Sequence, residues 1–262
     1  MSKNLIILRE EGVGKIIFND PGNLNSLTPE VIVRFAEAVE ELDADQDVRV
    51  IVISGKGRAF CSGANLSFVE SLFGLTQSEI KETVYKHFVA GAKALRFSSK
   101  PTIASVRGPA VGAGCELAIA CDFRIVSETA MFSEVWINLG LICPLGGMFL
   151  LPRIIGLTRA TDMLMTGKQV KGEEAEHIGL ANQCVPDEAL EEETVALAKR
   201  LAGSAPLALS IMKQGLRRGM ESTLASEWEF NVSAQSMLLK SEDCKEGVAA
   251  IKERRRPKFR GR

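Results

Sequence analysis

Histidine is scarce in this sequence, and its cysteines do not form a ligand pattern. Of 262 residues only His87 and His177 are histidines, and the six cysteines include no pair at CxxC spacing. Structural zinc sites and disulfide frameworks need such residues at short, regular spacings. We therefore expect neither a metal site nor a disulfide, and we expect a reducing compartment.

Long apolar runs and an excess of charge are also missing. No run approaches the roughly 18 apolar residues that a membrane span needs, and Arg9 interrupts the N-terminal segment before a signal peptide could form. The net charge is −1, which gives no basic field for nucleic acid. These features predict a soluble, cytoplasmic protein without a nucleic-acid or membrane partner.

What the sequence does contain is an alternation of strand and helix patterns. Residues 48–54 and 102–106 are β-branched runs typical of strands buried on both faces, and residues 28–42 and 78–97 have helical periodicity. Strands that alternate with helices favour an α/β class with parallel strands.

The pattern changes to helices alone after Pro186. Helices are predicted at residues 187–201, 206–217, 221–239 and 241–253. We therefore expect a core at residues 1–200 and a helical region at residues 201–262.

Two loops of small residues are the first candidates for chemistry. Residues 60–66 (FCSGANL) and 111–117 (VGAGCEL) each follow a buried strand, and each could present a free backbone N–H. Paired N–H donors can form an oxyanion hole, which stabilises negative charge on a carbonyl oxygen. Each loop could equally be an ordinary connection, and neither reads GxGxxG, so a dinucleotide site is disfavoured.

Taken together, these loops resemble the two oxyanion segments of the crotonase superfamily, the enoyl-CoA hydratase/isomerase family. The second resemblance extends over residues 100–117 (KPTIASVRGPAVGAGCEL). Residues 23–27, 172–182 and 252–261 also resemble family segments, so the similarity covers nearly the whole chain.

The resemblance implies an α/β fold made of a spiral of ββα units, followed by a C-terminal helical trimerisation region. It implies an acyl-CoA substrate, no cofactor beyond the coenzyme A of that substrate, and a homotrimer or a dimer of trimers. The oxyanion donors would be the N–H groups of Ala64 and Ala113. The predicted substrate-binding residues are Asn25, Ser62, Gly63, Ala64, Leu66, Gly112, Ala113, Trp136 and Lys258. Lys258, like Lys56 and Arg58, is a candidate phosphate contact by its charge alone.

Glu116 is the predicted acid/base residue. It lies three residues after Ala113, so a helix that begins there would turn the carboxyl group toward the oxyanion site. The position of the family's second glutamate is taken by Trp136, whose indole N–H is only a donor. Glu134, two residues earlier, could substitute in part if the loop bends, but we expect a glutamate facing solvent or an interface.

Hydration of a 2-enoyl-CoA, or of a dienoyl or cyclic relative, is the predicted reaction. Isomerisation or decarboxylation of an acyl-CoA, thioester hydrolysis and non-catalytic acyl-CoA binding remain alternatives. A dehalogenase is disfavoured, because the aspartate that its mechanism would need is replaced by Pro144. Trp136 would either fill the core and narrow the acyl pocket, or select a flat or cyclic acyl group.

Overall fold

The computed structural model describes residues 4–262, and its centre is a six-stranded sheet with a smaller sheet beside it. The strands are β1 Leu5–Glu10, β2 Val13–Phe18, β3 Val50–Gly55, β4 Thr102–Val106, β5 Pro109–Val111, β6 Phe123–Ser127, β7 Met131–Ser133, β8 Val170–Lys171 and β9 Gln183–Val185. The large sheet has the order β1-β2-β3-β4-β6-β9, and the small one β5-β7-β8. Among these described strands, only the β1–β2 and β7–β8 pairs are antiparallel. The predicted α/β class with parallel strands is confirmed.

Within residues 4–262, twelve α-helices surround and extend the sheets. They are α1 Pro29–Ala44, α2 Leu66–Ser71, α3 Gln77–Val84, α4 Ala90–Phe97, α5 Ala113–Ala120, α6 Gly147–Ile155, α7 Leu157–Thr166, α8 Gly172–His177, α9 Leu190–Ala202, α10 Pro206–Gly219, α11 Leu224–Leu238 and α12 Glu242–Glu253. A π-helical turn at Tyr85–Val89 joins α3 to α4, so the helical run predicted for residues 78–97 is present. The sequence patterns did not predict α2, α6, α7 and α8.

The central strands are buried on both faces, as their continuous apolar sequences predicted. One face of β3 presents Ile51 and Ile53 to a core shared with Phe35 of α1. The other face presents Val50 and Val52 to a second cluster that includes Leu197 of α9. Helices therefore cover both faces of the sheet, which is what a parallel sheet requires.

Backbone pairing outside the main sheet brings the two glycine loops together. Cys61 N–H donates to Pro109 O over 3.0 Å, and Val111 N–H donates to Cys61 O over 3.0 Å. A Cβ added at Gly114 would lie 2.2 Å from Cys61 O, so only glycine allows α5 to begin this close to the first loop. The fold thus places residues 61–64 directly against residues 111–114.

Helices α9 to α12 confirm the predicted helical C-terminal part. Helix α9 packs on the sheet, and α10 is tied to the core by an ion pair between Lys213 Nζ and Asp122 Oδ2 at 2.7 Å. Large apolar side chains remain exposed on the last three helices, including Leu216, Trp228, Val232 and Ile251.

The hydropathy of the helices gives one finding about membranes. Among the helices of residues 4–262, no single one has both the length and the apolar composition of a membrane span. One bent pair of segments, Asp187–Ala202 and Pro206–Gly219, has the length and composition of a membrane span when taken together, with an angle of 106° between the two.

Candidate active site

Two free backbone donors lie on the adjoining loops. Leu27 pairs with the residues on either side of Ala64: Leu27 N–H donates to Gly63 O at 2.8 Å, and Asn65 N–H donates to Leu27 O at 2.9 Å. The N–H of Ala64 takes no part in this pairing, and Ala113 is the first residue of α5. Neither of these two N–H groups has a hydrogen-bond acceptor within residues 4–262.

Glycines bring the two donor loops into contact. Gly63 has a φ of 92°, and a Cβ there would lie 2.5 Å from Val111 O and 3.4 Å from Ala113 N. Gly112, with a φ of 51°, precedes α5, and a Cβ on it would lie 3.5 Å from the indole ring of Trp136. Positive φ angles at both positions favour glycine, so the predicted glycine loops have a structural requirement for glycine.

A groove of about 500 Å³ runs along these loops. Six of the predicted substrate-binding residues line it, together with Arg58: they are Ser62, Gly63, Ala64, Leu66, Gly112 and Trp136. Ala113 is fully buried just behind Gly112 and is not part of the groove wall. The structure thus brings together most of the site that the sequence predicted.

Two predicted binding residues lie elsewhere. The side chain of Asn25 is buried beneath the loop, where its Nδ2 donates to Ala59 O at 2.8 Å and its Oδ1 accepts from Asp20 N–H at 2.8 Å. Lys258 is in the C-terminal tail, where its backbone N–H donates to Glu246 at 2.7 Å. Neither residue lines the groove in the described part of the chain.

Glu116 is buried in the first turn of α5, with 1% of its surface exposed. Its Oε1 accepts from Leu145 N–H at 2.8 Å and from Gly147 N–H at 2.9 Å, while its Oε2 has no partner among residues 4–262. Burial raises the pKa of Glu116 to about 7, although the two backbone donors oppose this rise. Such a carboxyl group can both take up and release a proton near neutral pH.

The expectation that Glu134 faces solvent or an interface was wrong. Glu134 is 1% exposed, and neither carboxyl oxygen has a partner in the part of the chain that the structure describes. Burial and then the neighbouring charge of Glu116 raise the pKa of Glu134 well above its usual range. The loop bends inward at this point, so the side chain lies beside Glu116.

Trp136 lies next to both carboxyl groups. Its N–H is near enough to lower the pKa of Glu116 and of Glu134. It does not, however, form a hydrogen bond of acceptable geometry with either carboxyl group or with any other described residue. Residues 132–134 are all buried, Val135 is half-buried and Trp136 is buried again, so the burial has no period of two. No simple sequence pattern located Glu134.

The cysteines near the two glutamates are neutral thiols. Cys115 and Cys143 are buried and free, and burial raises the pKa of Cys143 to about 12. A thiol that stays protonated is a poor nucleophile. No group of three or more His, Cys, Asp or Glu side chains within residues 4–262 is arranged to hold a metal ion.

Comparison with known proteins identifies the family of this chain. The model of the enoyl-CoA hydratase/isomerase family matches residues 8–262, and the chain belongs to that family. A protein of Rhizobium meliloti (strain 1021) named as a probable enoyl-CoA hydratase is 35% identical over the whole of both chains. A peroxisomal Δ(3,5)-Δ(2,4)-dienoyl-CoA isomerase of Arabidopsis thaliana is 31% identical, with 98% of this chain and 97% of the relative covered.

The same relationship is seen in solved structures. An enoyl-CoA hydratase from Bacillus anthracis superposes with a TM-score of 0.93 at 29% identity, covering 99% of this chain and 100% of that one. The crotonase fold that the sequence resemblance implied is confirmed.

Proposed function

We propose that the enzyme adds water to the double bond of a 2-enoyl-CoA, with Glu116 as the base that activates the water. The observation that carries this proposal is the placement of Glu116. A buried carboxyl group with a pKa near 7 lies one helical turn from the free N–H of Ala113, behind a groove that Ala64 and Gly112 line. General-base catalysis needs a group with this kind of pKa.

The two free N–H groups supply the other half of the reaction. As water oxygen bonds to C3 and Glu116 takes its proton, the C2=C3 electrons move toward the thioester oxygen. The N–H groups of Ala64 and Ala113 would hold that oxygen, and each such donor is worth about 3 kcal/mol in the transition state. Ala113 adds the favourable field of the α5 N-terminus.

The groove suggests how the rest of the substrate binds. Arg58 is the cation that lines it and is our candidate contact for a phosphate of coenzyme A. Trp136, packed against Gly112, narrows the space beyond the donors. We propose that this wall favours a flat or cyclic acyl group over a bulky branched one.

The exposed apolar side chains of α10 to α12 support self-association, since large apolar patches on a protein surface mark interaction sites. We propose a homotrimer or a dimer of trimers built through the helical region of residues 201–262, with the core at residues 1–200 carrying the site. We also retain the cytoplasm as the proposed compartment.

Isomerisation of an enoyl-CoA or dienoyl-CoA is the second candidate reaction. The Arabidopsis relative is named as a dienoyl-CoA isomerase, and a second buried carboxyl group, Glu134, lies where a proton could be moved between carbons. Isomerisation and hydration use the same enolate, so their products must be told apart directly.

The experiment is a hydration assay with crotonyl-CoA. We expect the conjugated enoyl-thioester absorbance to fall and 3-hydroxybutyryl-CoA to accumulate, as followed by mass spectrometry. A panel of dienoyl-CoA and cyclic enoyl-CoA thioesters should be run in parallel. If neither crotonyl-CoA nor any thioester of the panel is hydrated, the proposal is overturned. A product whose mass equals that of the substrate would favour the isomerase.

The activity should depend on pH through Glu116. Because the base must be ionised, kcat/KM is expected to rise with pH through the acid range and to bend near pH 7, where the pKa of Glu116 lies. Two pH units below that pKa, a single ionisation gives about a 100-fold loss. A pH–rate profile checks this, and constant activity across the acid range would contradict it.

A further inference from the structure

Three neighbouring side chains carry buried polar atoms that nothing in residues 4–262 satisfies. These atoms are Oε2 of Glu116, both carboxyl oxygens of Glu134 and Nε1 of Trp136. Glu116 and Glu134 are each 1% exposed, and Trp136 is 8% exposed. Buried polar groups without partners oppose folding, and functional sites are where such a penalty is tolerated. The cluster therefore marks a place where reacting atoms bind.

The two carboxyl groups differ in how well the protein stabilises their charge. Glu116 accepts hydrogen bonds from the backbone N–H groups of Leu145 and Gly147, which favour its ionised form. Glu134 accepts none from a described backbone N–H and lies beside the charge of Glu116. The Cys115 thiol and the Trp136 N–H are near enough to lower its pKa, but neither meets hydrogen-bond geometry. Two such groups cannot both be ionised easily, so they share one proton. Glu134 is the side chain that keeps it.

We propose that Glu134 is the acid that delivers a proton to C2 of the bound acyl group, as the partner of the base Glu116. This inference rests on the proposed hydration and adds its second half. Glu134 thereby replaces a carboxyl group at position 136, where the chain has tryptophan.

Glu116 carboxylate removes a proton from water while the water oxygen bonds to C3, and the C2=C3 electron pair shifts toward the thioester oxygen. The enolate then forms a C2–H bond with the proton of the Glu134 carboxyl group. Glu116 ends protonated and Glu134 ends ionised, and proton transfer between the two restores the starting state. The substrate has gained one water, and no other reactant is required.

Trp136 has a role in this scheme that a carboxyl group at its position would not have. Its N–H lies close enough to lower the pKa of Glu134, so it favours the anion that remains after proton delivery. The ring also lines the groove beside Gly112, so Trp136 is the member of the cluster that connects the buried carboxyl groups to the groove.

The test compares Glu134→Gln with a matched control, Glu128→Gln, the same substitution at an exposed glutamate of the same chain segment. Glutamine has the shape of a protonated glutamate, so the Glu134 variant should fold, which a thermal melt checks. Two activities are then measured. One is hydration of crotonyl-CoA, and the other is exchange of the C2 protons of butyryl-CoA in alkaline D2O, which needs no attack by water.

We expect Glu134→Gln to lose hydration by about 100-fold or more and to lose C2 exchange, with binding of butyryl-CoA retained. The Glu116→Gln variant should lose hydration but still show measurable exchange, and Glu128→Gln should behave as the parent. A Glu134→Gln enzyme that exchanges or hydrates at the parent rate overturns the inference, as does a parent that shows no exchange. A parent that exchanges C2 protons but hydrates nothing overturns the hydratase proposal instead, so the two failures are distinct.

Discussion

Replacing Glu116 with glutamine is expected to abolish most hydration while leaving the fold intact. The amide oxygen of glutamine can still accept from the N–H groups of Leu145 and Gly147, which Glu116 Oε1 now does at 2.8 and 2.9 Å. Oε2, the oxygen without a partner in the described chain, becomes an NH₂ group that cannot accept a proton. Loss of a general base costs about 100- to 10,000-fold in rate.

The measurement is kcat for crotonyl-CoA, together with a thermal melt and a binding assay for an unreactive acyl-CoA. Glu128→Gln is the control, because Glu128 is exposed. If the Glu116 variant hydrates as fast as the parent, Glu116 is not the base. If it melts far below the parent, the loss of rate reports a disturbed loop at residues 145–147.

Replacing Asp122 with alanine is expected to lower the free energy of unfolding more than breaking an exposed ion pair does. The Lys213 side chain is 7% exposed, and its Nζ lies 2.7 Å from Asp122 Oδ2. Removing one partner of a buried pair leaves the other charge unpaired, which costs about 3 to 5 kcal/mol. The carbonyls of Leu95 and Lys100 still accept from Lys213, so the lower end of this range is expected.

The free energy of unfolding from urea titration measures this effect. Lys199→Ala is the matched control, because it breaks an ion pair with Glu11 in which the side chains are 58% and 72% exposed. An exposed pair contributes less than about 1 kcal/mol. Equal losses in the two variants would contradict the role assigned to the buried pair, which is to tie α10 to the core.

Buried strands and helix ends depend on short stretches of sequence, so the sequence alone predicted them. The β-branched run of β4 predicted a strand buried on both faces, and proline and glycine punctuation located α10 and α12 to within a few residues. Two glycine loops and their resemblance to a family located Ala64, Ala113 and Glu116. The structure places Ala64 in the groove wall, and Ala113 and Glu116 buried in the first turn of α5.

The environment of each side chain was decided by contacts between distant segments. Glu116 accepts hydrogen bonds from the backbone N–H groups of Leu145 and Gly147. These residues lie at the start of α6, a helix that the sequence patterns did not predict. Only the fold shows that Asn25 supports the loop from beneath. Only the fold shows that Lys258 lies outside the groove.

The environment of Glu134 is the feature that the sequence alone predicted least well. Its residue type favoured solvent, because a lone carboxylate is costly to bury. The bend after β7 buries it beside Glu116, whose charge raises the pKa of Glu134. Local patterns in the sequence determined the α/β class, and the resemblance of the glycine loops indicated the family and the proposed acid/base residue Glu116. The tertiary structure decided that a second carboxyl group faces the first, because that depends on a contact across the chain.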